Sequence, residues 1–322
     1  MQRTLEQHQV WLYLTAVIVG LGFGWISPEL NRYWELLLWP VLAMLLYTTF
    51  TQIPLARLSS AFTDLRFLTA LLLGNFMVIP LVVGTLLFLL PDQPAIRLGV
   101  LMVLLVPCTD WFISFTHLGG GDSAKAIAAA PLLLIAQLLL LPLYIWFFIG
   151  DPALELTVGR YLLPAFIGLI MVPLLLAWIT QCLARRIQGP QQRTARLMDT
   201  LGLLPVPLLA GVVFLIAASQ TNLVFENSGL LGSVALVFVI YLVAATAIGK
   251  SLSALFNVSA PVGRTLTFSF GTRNSFVMLP LALSLPEAWH LAVVVIVCQS
   301  LIELLGMIVY LRWLPRLIRD VT

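Results

Sequence analysis

The chain has 322 residues, 61% hydrophobic and only 10% charged, with a mean hydropathy of +1.03. A soluble domain carries about 25% charged residues, so most of this surface must face something other than water. The net charge of +3 is dispersed over loops and not gathered into a patch, which speaks against a nucleic-acid partner.

Apolar runs between charged or Pro/Gly breaks predict ten membrane-spanning helices, at about 10–26, 34–53, 66–90, 96–118, 124–149, 158–182, 199–219, 229–256, 262–285 and 288–314. The first run follows Arg3, is long and lacks an A-x-A site, so it reads as a helix and not as a cleaved leader. Stretches such as LLLIAQLLLLPLYIWFF in the fifth do not alternate as membrane strands would. The expected fold is all-α and integral to the membrane, one domain over 1–322.

Lys and Arg set the orientation. With the N-terminus in the cytoplasm, that side holds 13 of the 17 basic residues, among them Arg57, Arg66, Lys125, Arg193, Arg196, Lys250 and Arg264. The outer side holds Arg32, Arg97 and Arg160, and Arg273 falls inside a span. Both termini are therefore predicted cytoplasmic, in a cell inner membrane. Trp11, Trp25, Trp34, Trp39, Trp289 and Trp313 lie near span ends, as an aromatic belt requires.

Five spans precede the loop near 150–160 and five follow, and the halves share a pattern. Gln137 and Tyr144 in the fifth span match Glu303 and Tyr310 in the tenth, seven residues apart in each. Upstream, Cys108-Thr109-Asp110 matches Gly271-Thr272-Arg273. An odd number of spans per half inverts the second copy, so 1–150 and 151–322 read as an inverted 5+5 repeat, common among secondary transporters.

The fourth and ninth spans are interrupted. Pro107 removes a backbone donor just before Cys108, Thr109 and Asp110, and Gly271 and Pro280 flank Thr272, Arg273, Asn274 and Ser275. Polar clusters beside helix breakers at corresponding places mark a transporter site, because freed backbone groups are tolerated at membrane depth only around a cavity or inside protein. Asp110, Arg273 and Glu303 are the ionisable residues within spans, and each is costly there. They read as a coupling or substrate site, or as a structural Asp110–Arg273 pair locking the broken helices; both roles are compatible. Asn75, Gln52 and Gln137 are interhelical bonds or lining. Cys182 and Cys298 read as packing, and the three cysteines form no disulfide or zinc pattern. GGGD at 119–122 matches the G-x-G-D of intramembrane aspartyl proteases, but Asp122 falls in a turn and no Tyr-Asp partner precedes it. No HExxH, G-x-S-x-G or Walker loop is present, so neither enzyme activity, nor a cofactor, nor a resident metal is expected.

PCTDWFISFTHLGGGD, GTRNSFVMLPLALSLP and QSLIELLGMIVY together resemble the bile acid/sodium symporter superfamily, and more closely its Acr3-type arsenical-resistance permeases. The resemblance implies ten helices, a panel and a core domain, and two unwound helices crossing at the core centre. It implies that Cys108 recognises trivalent arsenic, that Asn274 belongs to the asparagine motif of the ninth span, and that Glu303 is the acidic residue of the last span; with Thr109 and Ser275 from the same polar clusters, Cys108 and Asn274 are the expected substrate-binding residues. Arsenous acid is neutral, so its efflux would be coupled to the proton, with Asp110 and Glu303 as carriers. The chain departs from those permeases at Val277, where an acidic residue is usual, and from the sodium-coupled relatives at Arg273, where Gln is frequent. A guanidinium there would repel a cation and could replace it electrostatically. The expected function is efflux of arsenite or antimonite; the alternative is sodium-coupled symport of an organic anion anchored by Arg273.

Overall fold

The computed structural model describes residues 2–53, 64–149, 164–186 and 201–319. Arg57, Arg160, Arg193 and Arg196, on which part of the orientation argument rests, lie outside them. Six helical stretches among the described residues are long and apolar enough to cross a membrane: Tyr33–Gln52, Leu65–Leu89, Ser123–Leu141, Phe166–Leu183, Ser228–Leu255 and Glu287–Leu317. Phe88, Leu81 and Leu139 on these stretches are exposed, a surface suited to lipid and not to water. Trp11, Trp25 and Trp313 are exposed as a belt requires, whereas Trp34 turns inward and meets Phe214 edge-on at 5.8 Å.

In chain order the helices are α1 (Gln2–Ile26), α2 (Asn31–Gln52), α3 (Leu65–Leu73), α4 (Ile79–Leu86), α5 (Pro94–Leu104), α6 (Trp111–Leu118) and α7 (Ser123–Ile149). They continue as α8 (Val172–Arg186), α9 (Pro205–Ser219), α10 (Thr221–Glu226), α11 (Ser228–Leu255), α12 (Ala260–Gly271), α13 (Ser275–Leu283) and α14 (Leu291–Leu317). The predicted fourth span is the broken pair α5–α6, and the predicted ninth is α12–α13. Helices α1, α2, α8 and α9 pack into one group; α11 packs on α4, α12 and α14, and α14 packs on α5 and α13 in another. Tyr13 of α1 stacks on Trp111 at the start of α6 (6.2 Å), and Trp111 meets Phe276 at the start of α13 edge-on (5.0 Å). These rings join the two groups beside both breaks.

Proline placement shapes the third predicted span. A π-turn, Gly74–Val78, links α3 to α4, and Pro80 follows it. Pro80 cannot donate to the Phe76 carbonyl four residues back, and the Tyr144 hydroxyl bonds that carbonyl instead, at 2.6 Å. In the second half the Tyr310 hydroxyl bonds the Leu242 carbonyl. Each tyrosine reaches back 68 residues. Subtracting 144 from 310 and 76 from 242 gives 166 both times.

GGGD has a structural explanation. The Asp122 carboxylate accepts from the Lys125 N–H (3.1 Å), capping α7. Gly120 has φ +69°, and a Cβ on Gly119 would lie 2.2 Å from the Phe268 ring. Arg264 donates to the Gly120 carbonyl (3.1 Å), and the Thr265 hydroxyl accepts from the Asp122 N–H (2.8 Å). The motif is a tight turn clamped to α12.

Candidate functional site

Helix α5 stops at Leu104 ahead of Pro107, which has no N–H to donate and disfavours helical backbone at Val106 before it, and the chain stays unwound until α6 begins at Trp111. Helix α12 stops at Gly271, where a Cβ would lie 2.6 Å from the Tyr310 ring, and α13 begins at Ser275. The two unwound segments pair with each other. The Cys108 N–H donates to the Thr272 carbonyl (3.1 Å), and the Asn274 N–H donates to the Val106 carbonyl (2.9 Å). These bonds place Pro107 opposite Arg273 in an isolated antiparallel bridge. In a pair of this kind the flanking residues make the bonds, so the N–H missing from Pro107 is not needed.

Pro107 and Arg273 are also separated by 166 residues, as are Val106 and Thr272, and Cys108 and Asn274. The expected match of Cys108-Thr109-Asp110 to Gly271-Thr272-Arg273 is therefore out of register by three. The shared threonine is a local coincidence, and the backbone bonds set Cys108 against Thr272 and Val106 against Asn274.

Arg273 is 1% exposed. Its guanidinium donates to the Ser269 carbonyl (2.7 Å), the Phe270 carbonyl (2.9 Å), Asn75 Oδ1 (2.9 Å) and the Leu104 carbonyl (3.3 Å). It also lies over the Tyr241 ring at 5.7 Å, and the Tyr241 hydroxyl donates to the Phe270 carbonyl (2.7 Å). The guanidinium thus serves the ends of α5 and α12 and the side chain of Asn75. Asp110 sits half-buried at the N-terminus of α6.

Glu303 meets Arg273 through the backbone. Its Oε2 accepts from the Arg273 N–H (2.8 Å) and from Gln299 Nε2 (2.6 Å), while the buried Oε1 accepts no hydrogen bond. Gln299 Oε1 accepts from the Ser275 hydroxyl (2.7 Å). Asn274 Oδ1 accepts from the Val277 N–H (3.2 Å) and so caps α13. Cys108 and Thr109 are buried on the other unwound segment. The seven residues singled out from the sequence thus sit on or beside the crossing. Asn75, which also donates to the Ser269 hydroxyl (3.0 Å), was legible only as a polar residue in a span. Gln299 was missed, although its place four residues before Glu303 is the helical spacing for such a contact. No group of three or more potential metal-ligating side chains occurs among the described residues.

The profile of the sodium bile acid symporter family matches residues 39–226, more than half of the chain, including the first break and ending before the second. No curated protein matches the chain at a significant level. An all-helical apolar bundle and a match of this extent lead to one conclusion: the chain is a multi-pass membrane protein that belongs to the sodium bile acid symporter family of transporters.

Proposed function

We propose that the chain is a secondary active transporter with ten crossings in an inverted 5+5 repeat, 1–150 and 151–322, with both termini in the cytoplasm. Its solute passes at the pairing of the two broken helices. That pairing, Val106–Cys108 against Thr272–Asn274, is the observation that carries the reading. Unwound backbone at the centre of a membrane domain is where transporters of this architecture bind their cargo. The constant offset of 166 residues, shared by the paired segments and the two tyrosine bonds, supports the repeat.

Arsenite or antimonite is the solute that Cys108 favours. Trivalent arsenic is soft and thiophilic, and one thiolate holds it loosely enough for release, where three would trap it. Thr109, Asn274 and Ser275 flank that position on the two segments. Glu303 is the coupling group, since its bare Oε1 can take a proton without breaking the bonds at Oε2. The test is arsenite and antimonite resistance in a host stripped of its own arsenical pumps. The wild type confers resistance, and Cys108→Ser abolishes it while the protein remains in the membrane. Full resistance in Cys108→Ser removes the thiol mechanism.

The family's name favours a second reading, sodium-coupled uptake of an organic anion. The guanidinium that would anchor the anion is already committed to four acceptors. Sodium-dependent accumulation of a bile acid in membrane vesicles would establish this reading over the first.

A further inference from the structure

Two helices end at the crossing, α5 at Leu104 and α12 at Gly271. A helix C-terminus carries roughly half a negative charge on its unpaired carbonyls. Such carbonyls, with a side-chain oxygen, are what discontinuous membrane helices use to coordinate sodium. Here the Ser269 and Phe270 carbonyls and Asn75 Oδ1 converge on Nη2 of Arg273 at 2.7–2.9 Å, and the Leu104 carbonyl accepts from its neighbour Nη1 at 3.3 Å. The Tyr241 ring presents its negative face to the same charge. Glu303 supplies the balancing carboxylate through the Arg273 N–H.

We propose that Arg273 is a resident cation: its guanidinium fills an oxygen-lined cation site at the helix crossing, and this member of a sodium symporter family therefore needs no sodium there. A guanidinium stays protonated at any physiological pH, so the site is permanently filled. The cation is tethered and cannot cross with the solute, so it cannot itself be the driving ion. The inference rests on the crossing being the coupling site, but its test uses no solute, so it can fail while arsenite transport stands, and the reverse.

The test is thermal unfolding of the purified full chain in detergent, in matched sodium, potassium and choline chlorides. The wild type should melt at the same temperature in all three. Arg273→Ser empties the cage and should melt lower in choline, with a saturable rise of several degrees that sodium produces and choline does not. Arg273→Lys keeps a tethered cation and should be indifferent to the salt. A sodium-specific rise in the wild type overturns the proposal, and so does an Arg273→Ser protein that sodium leaves unchanged. Should Arg273→Ser fail to accumulate, the wild type and Arg273→Lys decide: indifference in both supports the resident cation, and sodium stabilisation of either overturns it.

Discussion

At the first break the chain offers Pro107 to the crossing; at the second, opposite it, stands Arg273. The backbone treats the two alike, since each segment gives one N–H and one carbonyl to the other. The side chains do not. Arg273 closes the C-terminal end of its own helix through the Phe270 carbonyl and that of the other half through Leu104, which stands 166 residues before Phe270. Asn274 caps α13 with its side chain, whereas α6 has no side-chain cap from Asp110. In the flanking helices Glu303 holds two bonds at Oε2, while neither amide atom of Gln137, 166 residues earlier, has a partner. Because the breaks meet at one point, charge compensation has to be supplied only once, and the second half supplies it.

The contrast is broken most directly at the bridge itself. In sodium-free medium Arg273→Ala removes the guanidinium from three carbonyls and Asn75, of which only the Phe270 carbonyl keeps a side-chain donor, Tyr241, and leaves Glu303 without a counter-charge. A loss of about 3–5 kcal/mol is expected, seen as a collapse in the folded fraction on size-exclusion chromatography. Normal accumulation would show that the guanidinium does not hold the ends together. Gln299→Leu comes next. It strips one donor from Glu303 and the acceptor from Ser275, and should cost about 1–3 kcal/mol in thermal unfolding. An unchanged melting temperature would mean that Glu303 is secured by Arg273 alone.

Pro107→Ala restores an N–H that the pairing does not use, so its cost should be about 1 kcal/mol or less, mainly through a more flexible unfolded chain. If it proves as damaging as Arg273→Ala, the first break depends on proline as heavily as the second depends on charge. The smallest effect lies away from the crossing. Lys125 donates to Asp64 at 2.5 Å, and that bond, with the Phe67 N–H, holds the Asp64 carboxyl below its ordinary value of 3.8. The stabilisation is present above pH 3.8 and is lost as pH falls through the lower folded value. Since Asp64 is 35% exposed, Asp64→Asn should cost no more than about 0–1 kcal/mol near neutrality and flatten the acid limb of stability against pH. An acid limb that is unchanged in Asp64→Asn would assign it to other carboxylates.

The sequence by itself determined the features that depend on local chemistry. Apolar run length dictates a membrane protein, because backbone groups in lipid must be bonded within a helix. Pro107 and Gly271 mark the breaks, since one lacks a donor and the other leaves room for Tyr310. The matched spacing of Gln137 and Tyr144 with Glu303 and Tyr310 survives translation along a helix and could be read directly. Only the tertiary structure decided what Arg273 does. Reasoning from residue types looks for an acid beside a buried cation. The guanidinium found helix-end carbonyls instead, and every residue carries a carbonyl, so such partners leave no trace in the sequence. The register of the crossing was hidden for the same reason: backbone bonds between segments far apart in the chain put Cys108 against Thr272 and Val106 against Asn274, and no side chain announces them.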